Sequence, residues 1–369
     1  MRVLVVNVGS SSLKLSVLGA DDAVLMACDL AVPDPGAIGA LLGQALEDAP
    51  AFDAVGHRVV HGGLEFTSPL LLERSVESRL EHLAELAPLQ NPPAIAAILD
   101  LQSRWPQLPQ VACFDTAFHV TIPPEASTYA LPDSWRAWGL RRFGFHGLSH
   151  AWASRRAAEL IGIPVEELRL VSAHIGSGAS LAAVSGGRSV DTTMGFTPLD
   201  GLVMATRAGS VDPGVLLWVL RHEHETIDEL ENTLDRRSGL LGLSGLSGDL
   251  RQVLEAGDRG DERAQLAFGV YLHRLRAMIA AMVAAMGGVD GLVFTGGAGQ
   301  GSARLRRETC AGLGFLGIEL DGSRNVGRGD DVIDRLVTRD GAAPAVCVVQ
   351  AREDLEIASQ VRALLARSV

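Results

Sequence analysis

A short block near the start of the chain returns in its second half, and this repeat constrains the fold more than any other feature. Val3 to Val8, an apolar run rich in β-branched residues, leads through Gly9-Ser10-Ser11-Ser12 into the alternating Leu13-Lys14-Leu15-Ser16-Val17. Leu170 to Ile175 leads in the same way through Gly176-Ser177-Gly178-Ala179-Ser180 into Leu181-Ala182-Ala183-Val184. With Gly9 set on Gly176, 167 positions later, Ser10 falls on Ser177, Val17 on Val184 and Gly19 on Gly186. Each block reads as strand, tight turn, half-buried strand. Two copies, each opening about half of a 369-residue chain, predict a duplicated domain.

The intervening sequence alternates strands with helices, which implies an α/β architecture. Ala54–His61 and Gln110–Phe114 read as strands, with helical stretches near Pro35–Glu47 and Arg74–Leu86. Asn91-Pro92-Pro93 opens another helix, proline being acceptable in a first turn. The Pro-rich span Ile122–Pro132 is the candidate linker. Further on, Glu262–Met286 reads as a long helix stopped by Gly287-Gly288, with a buried core segment at Ala277–Met286. Val289–Thr295 is a strand, and Gly296-Gly297-Ala298-Gly299-Gln300-Gly301-Ser302 a turn into a helix near Ala303–Leu313. A strand at Ala345–Val349 and a helix from about Glu353 to Leu365 close the chain.

Charge and cysteine usage narrow the function classes. A net charge of −12 removes the usual electrostatic basis for binding nucleic acid or an anionic membrane. The apolar start is too short for a signal peptide or a membrane span. Cys28, Cys113, Cys310 and Cys347 lie far apart without metal-ligand spacing, so reduced thiols in a cytoplasmic protein are expected. Of 32 basic residues only Lys14 is a lysine, and the compact ammonium suits a phosphate as a point charge. A Walker A loop is excluded, because Lys14 stands between Leu13 and Leu15.

Five constellations carry potential chemistry. Asn7 to Lys14 joins small turn residues to a cation, as an anion seat needs, although an ordinary hairpin has the same pattern. In Gly56-His57-Arg58-Val59-Val60-His61-Gly62-Gly63, Arg58 and Val60 share a strand face. A cation beside a small apolar group suits a short carboxylic acid, while an edge-strand arginine is the plainer alternative. In Arg141–His150, His146 reads as a hydrogen-bond donor, since no carboxylate completes an HExxH metal pattern. Asp191–Pro198 and Thr206–Pro213 form a long structured loop in which Arg207, flanked by small residues, is free to reach a ligand. The Gly296–Ser302 turn places glycines at a helix N-terminus, a natural phosphate seat, but lacks the third glycine of a dinucleotide fingerprint.

Taken together, the motifs resemble the acetate kinase family (acetate/propionate kinases) of the actin-like, sugar-kinase-like ATPase superfamily. NVGSSSLK, GHRVVHGG, APLQNPP, FDTAFH, RRFGFHG, HIGSGAS, DTTMGFTPLDGL, TRAGSVDPG, GLLGLSGLSGDLR, FTGGAGQGS and AREDLEIA occur in family order across essentially the whole chain. The resemblance implies two duplicated actin-like (ribonuclease H-like) domains, each a mixed sheet flanked by helices, with the active site in the cleft between them. Residues 1–120, completed by the C-terminal helix 355–369, would form the acyl-substrate and phosphate domain, and 121–354 the nucleotide domain. The implied activity is Mg²⁺-dependent, reversible, direct in-line transfer of the ATP γ-phosphate to acetate, giving acetyl phosphate and ADP, with Mn²⁺ able to substitute. A homodimer is also implied. Propionate kinase, or a nucleotide-binding sensor with little turnover, are the alternatives.

By the same resemblance Arg58, Asp115, His146 and Arg207 are the catalytic set. Asn7, Ser10, Ser12, Lys14, His174 and Gly176 face phosphate, and Asn7 and Glu353 are associated with the metal. Val60, Leu89 and Pro198 form the acyl pocket, and Asp249, Arg251, Gly296, Gly297 and Gly299 bind the nucleotide. Gln90, Ser177 and Gln300 depart from the usual His, Asn and Glu of the family pattern.

Overall fold

The computed structural model describes residues 1–9, 12–32, 35–73, 76, 79–80, 83, 87, 91–327 and 333–367. The chain divides into two compact units. Met1–Val120, Phe145–Trp152 and Arg352–Val369 form unit 1, and Thr121–Gly144 with Ala153–Ala351 form unit 2.

Unit 1 is built on a six-stranded sheet of β1 (Val3–Val8), β2 (Ser12–Leu18), β3 (Val24–Ala31), β4 (Ala54–Val59), β5 (Leu70–Leu71) and β6 (Gln110–Phe114), in the order β3-β2-β1-β4-β6-β5. Unit 2 carries β7 (Arg169–Ile175), β8 (Ala179–Ser185), β9 (Arg188–Thr192), β10 (Gly291–Thr295), β11 (Arg335–Leu336) and β12 (Ala345–Val348), in the order β11-β12-β10-β7-β8-β9. Read from the opposite edge, the second order is the first one repeated. In both, an antiparallel hairpin precedes two parallel strands, and an antiparallel strand closes the far edge. The hairpins match residue for residue: Val8 and Ser12 flank the first loop as Ile175 and Ala179 flank the second. Duplication therefore holds at the level of topology.

Apolar faces of both sheets are covered by helices. On unit 1, Leu4, Val6, Leu13 and Leu15 pack with Ile38 and Leu42, while Val3, Val5 and Leu18 on the other face pack with Ile357 and Val361 of the terminal helix Glu353–Ala366. In unit 2 the helix Glu262–Ala285 is long and apolar enough by composition to cross a membrane, yet its Leu275, Ile279, Met282 and Val283 are buried and it packs on β7, β8 and β9. It is a core helix.

Four details differ from the sequence expectation. The strand expected over Ala54–His61 ends at Val59, because the Asn91 side chain takes over the pairing at His61, accepting from its N–H and donating to its C=O. The span Ile122–Pro132 is not a linker but part of unit 2, where Thr121 Oγ1 donates to the Ser189 carbonyl, Ile122 is buried and Thr128 bridges to Arg141. Phe145–Trp152 belongs to unit 1, where Leu148 joins the core around Val3 and Val111, and the chain re-enters unit 1 at Arg352, so His146 and Glu353 lie in unit 1. The glycine run after β10 is a short helix, Gly296–Gly301, rather than an open turn. The helix expected over Arg74–Leu86 lies largely outside the described residues.

Candidate functional site

In open sheets, ligands gather beyond the carboxyl ends of parallel strands. In unit 1, Asn7 lies near the carboxyl end of β1, Arg58 near that of β4, and Asp115 directly follows β6. Their side chains form one network. Arg58 donates from Nε to Asp115 Oδ1 at 3.1 Å and from NH2 to Asp115 Oδ2 at 2.6 Å, while its NH1 donates to Asn7 Oδ1 at 3.1 Å. Asn7 Nδ2 in turn donates to Glu353 Oε2 at 2.9 Å, and Glu353 stands 3.8 Å from Arg58 NH1.

The Asp115 side chain is 1% exposed and that of Arg58 14%. Burial opposes charge on the guanidinium, but the facing carboxylates of Asp115 and Glu353 override it and hold Arg58 well above its ordinary value. Burial pushes the Asp115 carboxyl up, while Arg58 and the backbone N–H of His146 pull it back toward the ionised form. The result is a cation with all three nitrogens oriented before any ligand arrives.

His146 is held by backbone geometry. Its φ of 55° is in the left-handed region, uncommon for a residue with a Cβ and costing on the order of 1–3 kcal/mol. The next residue must be glycine: a Cβ on Gly147 would lie 1.9 Å from the Asp115 carbonyl oxygen. The segment Phe145–Gly147 is thereby pressed against Asp115. The His146 and His150 rings stand 6.5 Å apart at a steep angle, and neither belongs to a metal-ligating group of three among the described residues.

Lys14 faces Asn7 across the hairpin but pairs with Asp29 at 3.7 Å, and both of those side chains are well exposed. The Lys14 ammonium therefore stands in solvent at the hairpin. Ser12 opens β2, and its carbonyl accepts from Gly9 N–H at 2.7 Å. Ser10 and Leu89 lie outside the described residues, as does Gln90. Val60 is buried just beyond β4.

In unit 2, His174 occupies the position in β7 that Asn7 occupies in β1, and Gly176 N–H donates to Gly178 C=O at 2.9 Å. Gly296, directly after β10, has φ 77°, and a Cβ there would sit 2.8 Å from the Ile175 carbonyl oxygen. Gly297 and Gly299 continue the short helix. Asp249 caps the helix Leu250–Asp258 and is bound by Arg251 through Nε and NH2, so these two bond to each other at the surface. Pro198 is half-buried, and its carbonyl lies 3.4 Å from Arg207 NH1. Arg207 itself is not free as the flanking small residues suggest: Nε donates to Asp235 Oδ1 at 2.8 Å.

Arg306, which sequence reasoning passed over, and Gln300, noted there only as a departure from the family pattern, support the glycine helix. Arg306 is 1% exposed and donates to the carbonyls of Gly299, Gln300 and Asn325 and to Asn325 Oδ1, at 2.6 to 2.8 Å. Burial lowers its pKa to about 10. Glycine is a poor helix former, and these bonds hold the carbonyls that would otherwise fray. Gln300, with its amide turned to suit its neighbours, accepts from Gly296 N–H at 3.1 Å and Ala351 N–H at 2.9 Å. The one sequence clue to Arg306 is its i,i+3 and i,i+4 spacing from Thr309 and Cys310 on the buried helix face.

Glu353 offers a carboxylate, and Asn7 an amide oxygen that here accepts from Arg58 while its Nδ2 faces Glu353; the described residues contain no group of three His, Cys, Asp or Glu able to cage an ion. That set fits Mg²⁺, which keeps several waters and takes one or two protein oxygens beside substrate phosphates.

Comparison with known proteins places the chain in a family. A model of the acetokinase family matches residues 38–359. The acetate kinase of Synechococcus sp. (strain JA-2-3B'a(2-13)) is 50% identical over 325 residues, 88% of this chain and 79% of that protein. The crystal structure of Porphyromonas gingivalis acetate kinase superposes with a TM-score of 0.89 at 35% identity, covering 99% of both chains. A propionate kinase from Francisella tularensis subsp. tularensis SCHU S4 gives 0.86 at 32% identity, covering 97% of this chain and 98% of that one.

Proposed function

Because the chain belongs to the acetokinase family, we propose that it is an acetate kinase, transferring the γ-phosphoryl group of ATP reversibly to acetate to give acetyl phosphate and ADP. Its strongest support is the Arg58 network, a guanidinium fixed on three nitrogens at the carboxyl ends of parallel strands. Acetate is ionised at neutral pH, so no residue has to remove a proton from it. A carboxylate oxygen attacks the γ-phosphorus in line, the bond to the bridging oxygen breaks, and ADP departs with the electron pair. The barrier is electrostatic, since an anion approaches a polyanion.

Arg58 lowers that barrier because Asp115 and Asn7 have already oriented it, leaving little reorganisation for the moment of transfer. Arg207 and His146 supply the further donors to the same phosphoryl oxygens. Asn7, Ser10, Ser12, Lys14, His174 and Gly176 address the phosphates, and Val60, Leu89 and Pro198 the acetate methyl. Asp249, Arg251 and Gly296, Gly297 and Gly299 take the adenosine side. Glu353 and Asn7 would hold Mg²⁺, which when bound screens phosphate charge.

A coupled ADP-release assay across acetate, propionate and butyrate tests the assignment. Acetate should give the highest kcat/KM, and no acid-dependent ADP release would remove the kinase reading altogether. We also read the protein as a cytoplasmic homodimer. Its four cysteines are free thiols, as a reducing compartment favours. The helix Pro213–His222 buries none of its residues and leaves Val215 and Trp218, three positions apart on one face, about half exposed, an apolar face for a second copy to cover. Light scattering on the parent and a Trp218→Glu variant should show a dimer reduced to a monomer.

A further inference from the structure

The helix Ile227–Arg236 is anomalous for its place in a folded unit: it buries none of its own residues. It starts on a complete capping box, Thr226 with Glu229, so its N-terminus is well defined without help from a core. Its last turn carries Asp235, a carboxylate where the helix dipole disfavours negative charge. That charge is answered by Arg207, whose Nε donates to Asp235 Oδ1 at 2.8 Å.

The same helix end also grips the backbone around Arg207. Thr206 Oγ1 donates to the Asp235 carbonyl at 2.9 Å, and Ala208 N–H to the Leu234 carbonyl at 2.9 Å. Ser238 N–H returns a bond to the Thr206 carbonyl at 2.9 Å. Gly239, at φ 62°, passes so close that a Cβ would stand 2.7 Å from the Arg207 carbonyl oxygen. Main chain and side chain of Arg207 are therefore held by one helix end that contributes no residue to the core. The bond uses Nε, the inner edge of the guanidinium. NH1 makes a long contact of 3.4 Å to the Pro198 carbonyl, and NH2 has no hydrogen bond among the described residues.

We propose that Asp235 is a positioning residue for phosphoryl transfer, fixing the Arg207 guanidinium by its Nε so that the terminal amines address the transferring group. The proposal rests on the reading of Arg207 as a phosphoryl ligand. Asp235 then does for Arg207 what Asp115 does for Arg58, through one contact instead of two. A misaimed guanidinium loses contact chiefly with the transition state, so the effect belongs in kcat rather than in KM.

Steady-state kinetics on Asp235→Ala, Asp235→Asn, Arg207→Ala and the Asp235→Ala/Arg207→Ala double variant, each checked by circular dichroism and thermal melting, decides the matter. Asp235→Ala should lower kcat about 10- to 100-fold with KM for ATP within about threefold. Asp235→Asn, whose amide oxygen still accepts from Nε, should stay within about threefold of the parent. The double variant should be no slower than Arg207→Ala alone, since Asp235 acts only through that side chain. Parental kcat in Asp235→Ala, or losses that multiply in the double variant, would overturn the proposal. If Asp235→Ala does not fold, a kcat loss above about tenfold in a folded Asp235→Asn overturns it equally. Parental turnover in Arg207→Ala would instead bring down the assignment of Arg207, and this proposal with it.

Discussion

Arg58 and Asp115 meet edge to edge, 57 residues apart in sequence, with two parallel hydrogen bonds of 3.1 and 2.6 Å. The carboxylate is almost wholly buried, so it orients the guanidinium without competing as a ligand for solvent ions. An ammonium cannot reproduce that fit, because it lacks the planar fork and reaches one oxygen at a time.

Arg58→Lys should therefore fail despite preserving charge. The loss of a preorganised donor is worth on the order of 3–4 kcal/mol, or about 10²–10³ in kcat. Steady-state assays on folded variant protein provide the check, and turnover within tenfold of the parent would show that charge alone suffices.

Acid should destabilise unit 1 through two buried histidines. His57, bonded at Nε2 to Gln110 Oε1, and His119, bonded at Nε2 to the Phe145 carbonyl, are both lowered by burial to about 4, against 6.5 when exposed. The unfolded chain thus binds the extra protons between these values. The stability contribution is complete above pH 6.5 and is lost as pH falls toward 4, by roughly 2 kcal/mol per histidine at pH 5. Urea unfolding at pH 7.5 and 5 measures it. His57→Asn should reduce the pH dependence by about half, and an unchanged dependence would remove His57 from the account.

Arg306→Met should lower stability and weaken nucleotide binding together. The methionine fits the buried volume but leaves the Gly299, Gln300 and Asn325 carbonyls without their donor, each costing about 1–3 kcal/mol when unsatisfied. A melting temperature several degrees lower, with a raised KM for ATP and a little-changed KM for acetate, is the expected pattern. Equal effects on both KM values would place Arg306 in general packing.

Val60→Ala should narrow the preference for acetate over propionate. Val60 is buried beside the carboxyl end of β4, and one methylene in such a pocket discriminates by about 1–3 kcal/mol, roughly 10–200-fold. The ratio of kcat/KM for the two acids is the measurement. A ratio unmoved by the substitution would take the acyl pocket away from Val60.

Local chemistry made much of the fold legible in the sequence. The hairpins at Val3–Leu18 and Arg169–Ser185 announce themselves because side-chain alternation and small turn residues act over a few positions. Their spacing carried the duplication, and the repeated sheet order follows from it. The motif residues Asn7, Arg58 and Asp115 were equally visible, each at or just beyond a strand's carboxyl end. What tertiary structure alone decided is which groups hold them. Glu353 reaches Asn7 across 346 positions, Asp235 reaches Arg207 across 28, and Arg306 binds carbonyls that bear no sequence signature. Such partners depend on which strand lies beside which and where a helix ends. Hydrogen bonds and buried charges form at about 3 Å with whatever group the packed chain delivers there, and periodicity does not encode that delivery.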